Sequence, residues 1–137
     1  MQIQVLRAKL HQARVTQANL DYHGSLSLDE DLMDRGGIRR YEKVLIGNMT
    51  NGQRLETYAI PAPRGSLEVG ANGGAARLFA VCDKLGVMTF GPVGEDEGFH
   101  PRGMIVGVGN SGVWELNYGS APSPLQEIFD MEREGSP

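Results

Sequence analysis

The stretch KVLIGNMTNGQRLETYAI, residues 43–60, carries the strongest local fold signal in this chain. Its two halves, Lys43–Met49 and Gln53–Ile60, contain the apolar, β-branched and aromatic residues of strands, and they flank Thr50-Asn51-Gly52. An Asn-Gly step between two such runs is typical of a tight β-hairpin, because both residues tolerate positive φ. Pro61 and Pro63 lack backbone donors and are expected to end the second strand. The stretch therefore predicts an antiparallel hairpin.

Glycine is the unusual residue in the composition, with 19 in 137 residues, about twice average usage. Each glycine inside a helix costs about 1 kcal/mol relative to alanine, so this density favours short strands joined by turns. Further strands are predicted at residues 3–18, 26–28, 66–71, 87–90 and 104–108.

Two short helical segments are predicted between these strands. Asp29 is expected to N-cap a helix over Glu30–Arg35, which Gly36-Gly37 end. A turn at Asn72-Gly73-Gly74 precedes a helical turn over Ala75–Phe79. We expect one domain over residues 1–137, with a polar tail over roughly 120–137 and one helical turn at 125–131. The predicted fold class is mainly β, a small barrel with short helices.

Charge and cysteine content narrow the class of protein. Thirteen basic and 17 acidic residues give a net charge of −4, which argues against a nucleic-acid or anionic-membrane binder. The single cysteine, Cys82, allows no intramolecular disulfide and suits a reducing compartment. The N-terminal stretch contains four basic or histidine residues and does not resemble a signal peptide, and no apolar run reaches about 18 residues. We therefore expect a cytoplasmic protein without a membrane segment.

A protein-bound metal is not expected. The histidines (His11, His23 and His100) and Cys82 do not form a ligand pair at the spacing of a zinc finger or a metalloprotease.

The dipeptide Gly24-Ser25 would be an ordinary turn in isolation. It lies, however, within a series of sequence blocks that together form a recognisable motif. The blocks lie in one order over residues 3 to about 83: KLH and VTQANLDYHGS (9–11, 15–25), DEDLMD (29–34), NGQRLETYAI (51–60), and RGS with NGGAAR (64–66, 72–77). Together they closely resemble the pyruvoyl-dependent aspartate 1-decarboxylases. The resemblance implies a double-psi β-barrel, a homotetramer, and active sites between adjacent protomers.

The same resemblance implies a self-processing enzyme. The precursor would be cut between Gly24 and Ser25 into a β chain, residues 1–24, and an α chain, residues 25–137, that carries a pyruvoyl group derived from Ser25. That group would form a Schiff base with L-aspartate and release β-alanine and CO2 for pantothenate (coenzyme A) synthesis. No pyridoxal phosphate is implied, and the sequence leaves open whether a helper protein speeds maturation.

The chemistry of the cut follows from the residue types. Gly24 has no Cβ, so its peptide can adopt a strained conformation that exposes the carbonyl to the Ser25 hydroxyl. Attack converts the amide to an ester, and β-elimination then frees the shorter chain. By resemblance, the Thr57 hydroxyl assists this step.

Substrate binding is predicted at two cations and a glycine-rich turn. Arg54 is suited to a bidentate clamp on the side-chain carboxylate of aspartate, and Lys9 is the second cation. By resemblance, Tyr58 donates a proton to the α-carbon after CO2 leaves. The segment Asn72-Gly73-Gly74-Ala75 is suited to cradle an anion on its N–H groups. The plain alternatives are exposed strand cations, a tyrosine of the barrel wall and a simple turn.

Several features do not fit the pattern smoothly. In a regular strand Arg54 and Tyr58 share a face about 13 Å apart, whereas Thr57 faces the other way. Gly47 and Gly86 stand where bulkier residues are usual in the family, which predicts a wider pocket, and His23 replaces a small or acidic residue. The alternatives to an active enzyme are a silent homologue that fails to cleave, and a small barrel that binds protein or nucleic acid.

Overall fold

The computed structural model describes residues 1–116 and is mainly β. Its nine strands are β1 (Gln2–Arg14), β2 (Gln17–Asn19), β3 (Leu26–Asp29), β4 (Lys43–Asn48), β5 (Arg54–Ala62), β6 (Val69–Asn72), β7 (Lys84–Gly94), β8 (Arg102–Val106) and β9 (Val113–Leu116). One α-helix, α1 (Glu30–Gly36), and two 3₁₀ turns, Gly73–Arg77 and Val108–Asn110, complete it. The predicted tail and its helical turn at 125–131 lie outside the described residues.

The strands form one sheet in the order β2-β6-β3-β5-β4-β7-β1-β8-β9. The predicted hairpin is confirmed, because β4 and β5 pair antiparallel from Lys43 opposite Tyr58 to Gly47 opposite Arg54. Gly52 supplies the positive φ of its turn, at 80°. The predicted mainly β class is thus correct, while closure of the sheet into a double-psi barrel stays a prediction.

Strand β3 lies between β5 and β6 in the sheet. It pairs parallel with β5, placing Leu26 beside Ala59, and antiparallel with β6, placing Ser27 opposite Gly70. All four residues of β3 are buried. The core behind the strands is apolar and includes Leu10, Leu26, Leu28, Ile46, Phe79, Leu85 and Val87.

Helix α1 begins and ends as predicted from its caps. The Asp29 side chain accepts a hydrogen bond from the Asp31 N–H, and Gly37 takes the left-handed conformation that ends the helix. Gly36 lies against Leu10, where a Cβ would come within 2.8 Å of Leu10 Cδ2. Glycine therefore lets the helix pack closely on β1.

Some predicted boundaries are wrong. Strand β6 starts at Val69 and includes Asn72, so Asn72 belongs to a strand and the 3₁₀ turn begins at Gly73. Strand β7 spans eleven residues rather than four, because it pairs with the whole length of β1. Strand β5 continues through Pro61, beyond the end of β4 and beside β3, where a missing donor is tolerated. Strands β2 and β9 were not predicted.

We expect Asp29→Ala to destabilise the fold by at least about 2 kcal/mol, because this buried carboxylate accepts from three backbone N–H groups, of Asp31, Gly65 and Leu67. Urea denaturation of the two variants measures the effect. The control is Asp31→Ala, which removes an exposed acid of the same helix and should cost less than about 1 kcal/mol. Equal losses in the two variants would contradict a special role for Asp29.

Candidate active site

Gly24 adopts a backbone conformation with positive φ. Its φ is +100°, which side chains with a Cβ rarely adopt. A Cβ built there would lie 3.1 Å from Ile60 Cδ1 and 3.7 Å from the Tyr58 hydroxyl oxygen. The step Gly24-Ser25 thus lies against the side chains of two β5 residues.

Asn72 holds the other side of this step. Its side chain is buried, and Nδ2 donates to the Ser25 carbonyl oxygen at 2.9 Å and to Ser27 Oγ at 3.3 Å. A carbonyl oxygen can only accept, so the amide must present its NH₂ group to Ser25. Asn72 therefore fixes the orientation of the peptide that follows Ser25.

Tyr58 reaches the step because of the register between β3 and β5. Leu26 pairs with Ala59, and extending that parallel register backwards would set Ser25 beside Tyr58 and Gly24 beside Thr57. Tyr58 remains 39% exposed, with its ring centroid 6.4 Å from that of Tyr41. Tyr58 is therefore partly open to solvent, and its hydroxyl oxygen lies close to Gly24.

Thr57 is half-buried and pairs with the core residue Val44 on the face opposite Tyr58. No hydrogen bond recorded within residues 1–116 joins it to Gly24. The expected conflict between the faces of Thr57 and Tyr58 is therefore present, and the role of Thr57 stays a prediction.

The predicted anion cradle begins with a close backbone approach. Gly73 has a φ of +59°, and a Cβ there would lie 3.4 Å from the Tyr22 carbonyl oxygen. Gly74 faces open space, whereas Ala75 is buried. The segment thus lies beside the chain that leads into Gly24, and anion binding by its N–H groups stays a prediction.

Lys9 and Arg54 lie together in a second place, on the outer face of the sheet. Strand pairing sets four residues in one row across β1, β7, β4 and β5, namely His11, Gly86, Gly47 and Arg54. Lys9 lies beside this row, and the residues line a cavity of about 310 Å³. We call it the glycine trough.

The two central glycines leave the trough open. A Cβ at Gly86 would lie 3.8 Å from Lys9 Cε, and one at Gly47 would lie 3.5 Å from an Arg54 guanidinium nitrogen. Both distances are ordinary contacts, so larger side chains would fill space between the cations. A pocket wider than is usual in the family stays a prediction.

Electrostatics in the trough favour an anion. Burial lowers the pKa of the Lys9 ammonium below its ordinary value, and the positive charge of Arg54 lowers it further. A bound carboxylate would stabilise the charged ammonium and so raise the pKa of Lys9 again. The trough is therefore suited to a small acidic molecule.

The predicted residues thus fall into two groups in one chain. Gly24, Ser25, Tyr58 and Asn72 surround the Gly-Ser step, whereas Lys9 and Arg54 lie in the trough. Tyr58 lies four positions after Arg54 on β5, about 13 Å along the backbone. The sequence did not indicate Ile60, Ser27 or Glu68 near the step, because their placement depends on strand register.

The described residues contain no group of three or more His, Cys, Asp or Glu side chains that could hold a metal ion. Within residues 1–116, no helix is long and apolar enough to cross a membrane.

The fold and site define a small, mainly β protein with a Gly-Ser step at positive φ and a trough that holds two cations. Comparison with known proteins makes the class specific. The family model described as aspartate decarboxylase matches residues 1–113. The chain belongs to the aspartate decarboxylase family.

Curated relatives support this membership over most of their length. An aspartate 1-decarboxylase of Coprothermobacter proteolyticus is 57% identical over 71% of this chain and 81% of its own. One of Ralstonia nicotianae is 49% identical over 80% of this chain and 93% of its own. One of Hyphomonas neptunium is 50% identical over 80% and 95%, respectively.

We expect the affinity of the trough for succinate, a dicarboxylate without a reactive amine, to fall as pH rises through the lowered pKa of Lys9. Below that pKa the ammonium is charged and attracts the anion, and above it the attraction is lost. Calorimetric titrations between pH 7 and 11 measure this. In Arg54→Met the fall should move to higher pH, because the second cause of the lowered pKa is gone.

Lys9→Met is the control for this titration and should bind more weakly without the fall. An unchanged pH profile in Lys9→Met would assign the dependence to another group.

Proposed function

We propose that the chain is an aspartate decarboxylase that cuts itself between Gly24 and Ser25 and works through a pyruvoyl group derived from Ser25. Decarboxylation of aspartate follows from membership of the family. The observation that carries the finer proposal is Gly24, with its φ of +100° beside the Tyr58 hydroxyl. A turn with a purely structural role would need glycine at this position, but it would not need a tyrosine hydroxyl beside it.

The cut itself uses the residues around the step. The Ser25 hydroxyl attacks the Gly24 carbonyl carbon, the amide nitrogen leaves and takes a proton, and an ester results. The Cα proton of Ser25 then passes to solvent, the Cβ–Oγ bond breaks, and Gly24 leaves as a carboxylate. Water replaces the nitrogen of the remaining dehydroalanine as ammonia departs. The residues around the step fit a pyruvoyl group at residue 25, because Asn72 already donates a hydrogen bond to the Ser25 carbonyl.

A pyruvoyl group at residue 25 supplies a ketone that accepts the electrons released when CO2 departs. Arg54 binds the side-chain carboxylate of L-aspartate, since strong stabilisation of the departing carboxylate would lower the ground state more than the transition state. Lys9 adds the second positive charge in the trough. Tyr58 donates a proton to the α-carbon, and the position of its hydroxyl beside the Gly-Ser step supports this role.

The separation of the two groups supports an active site shared between protomers. Tyr58 lies beside the Gly-Ser step and four positions after Arg54 on β5, about 13 Å along the backbone, and this spacing favours a site to which two chains contribute. We propose a homotetramer of double-psi barrels in which the trough of one protomer faces the Gly-Ser step of the next. The product, β-alanine, would enter pantothenate synthesis in the cytoplasm.

The parent protein is expected to separate into chains of 24 and 113 residues, the longer without a free amino terminus. Intact mass spectrometry measures this. Ser25→Ala should stay at full length because the nucleophile is gone. The control Ser111→Ala, an exposed serine of another loop, should cut like the parent. Identical fragments from Ser25→Ala would show proteolysis by a contaminant instead.

We expect Tyr58→Phe to mature but to decarboxylate aspartate about 100-fold more slowly, because it keeps the ring and loses the proton donor. KM should change little, since Arg54 and Lys9 are intact. Steady-state kinetics on fully cleaved protein measure both parameters.

The matched control for Tyr58→Phe is Tyr41→Phe, which removes the hydroxyl of the neighbouring exposed ring. It should leave kcat within about twofold of the parent. Parental kcat in Tyr58→Phe would remove this residue from the mechanism.

A further inference from the structure

A buried hydroxyl next to the Gly-Ser step connects it to a carboxylate that the proposed chemistry does not use. Ser27 is 4% exposed, and its Oγ donates to Glu68 Oε2 at 2.6 Å. The same oxygen accepts from Asn72 Nδ2 at 3.3 Å. A hydroxyl has one proton and a carboxylate only accepts, so the direction of this chain of hydrogen bonds is fixed.

The strand pairing leaves room for this hydroxyl only because glycine lies opposite. Ser27 pairs with Gly70, and a Cβ at residue 70 would come within 2.3 Å of Ser27 Oγ and 3.3 Å of Glu68 Oε2. Ser27, Glu68 and Gly70 therefore form a set in which each position depends on the others.

We propose that Glu68 is a positioning residue for the self-cleavage, acting through Ser27 and Asn72. An asparagine amide can turn by 180° and exchange its NH₂ group for its oxygen. The Ser27 proton is committed to Glu68, so Ser27 offers Asn72 only lone pairs and holds the NH₂ group in place. This inference rests on the proposed cut at Gly24-Ser25 and names the residues that set its geometry.

The step that benefits is the elimination from the ester. When the Cα proton of Ser25 passes to solvent, negative charge develops on the Ser25 carbonyl oxygen before the Cβ–Oγ bond breaks. Asn72 Nδ2 lies 2.9 Å from that oxygen and stabilises the charge. A turned amide would place its own oxygen there and repel the charge. Loss of Glu68 should therefore slow elimination and leave ester formation intact.

The experiment follows freshly synthesised full-length chains over time. The ester and the uncut amide have the same mass, but hydroxylamine at neutral pH splits the ester at residues 24–25 and leaves the amide intact. The products are a shorter chain that ends in a Gly24 hydroxamate and a longer chain with a free Ser25 amine, and their masses distinguish them from cleavage at Asn51-Gly52 or Asn72-Gly73. Glu68→Leu, which has no acceptor for Ser27, should accumulate hydroxylamine-sensitive chain and mature about 10-fold more slowly. Glu68→Gln keeps an acceptor oxygen and should mature at nearly the parental rate.

Ser27→Ala removes the link between Glu68 and Asn72 and should also accumulate the ester. Combining it with Glu68→Leu should add little to either change, because both break the same chain. Parental maturation of Glu68→Leu would overturn the proposal. Equal slowing in Glu68→Leu and Glu68→Gln with a lowered Tm and no ester would also overturn it, since that marks a structural role.

Parent protein and Ser25→Ala separate this test from the proposed function. A parent that never cuts would refute self-cleavage itself. A parent that cuts, with Ser25→Ala at full length, leaves the Glu68 variants as the test of positioning alone.

Discussion

The Asp29 carboxylate is the interaction on which the arrangement of the site depends. It caps α1 at Asp31 and accepts the N–H groups of Gly65 and Leu67, so one buried side chain ties the helix start to the loop before β6. The Asp29 N–H also donates to the Glu68 carbonyl. These hydrogen bonds hold β6 beside β3. The pairing of the two strands places the Asn72 side chain within hydrogen-bond distance of the Ser25 carbonyl. Buried charge at Asp29 is tolerated because its oxygens receive several hydrogen bonds.

The β4–β5 hairpin and helix α1 could be predicted because their signals are local, an Asn-Gly turn and an Asp cap with closing glycines. The β3–β6 pairing could not, since it joins residues about forty apart and depends on the loop that Asp29 holds. Buried Asn110 shows the same limit, for it bonds Arg14 and Leu67 from distant segments. Lys9 and Arg54 were predicted as one binding group, but only register reveals the two glycines between them.

The two groups of site residues belong to different physical settings. The Gly-Ser step lies beside the buried strand β3, and a directed hydrogen bond from Asn72 holds the Ser25 carbonyl, which suits a reaction that needs one fixed geometry. The trough is open and charged, which suits a small molecule that must enter and leave. Strand β5 contributes to both, with Tyr58 at the step and Arg54 in the trough.

The interior position of β1 in the sheet has a consequence for the stability of the protein after the proposed cut. Strand β1 lies between β7 and β8, and it precedes the proposed cut. After cleavage the sheet is therefore held together by two separate polypeptides, one of which supplies an interior strand. Unfolding then becomes dissociation, so the apparent stability depends on protein concentration. Under the proposed cut, a molecule that loses residues 1–24 also loses β1 and β2 and cannot form this sheet from the longer chain alone.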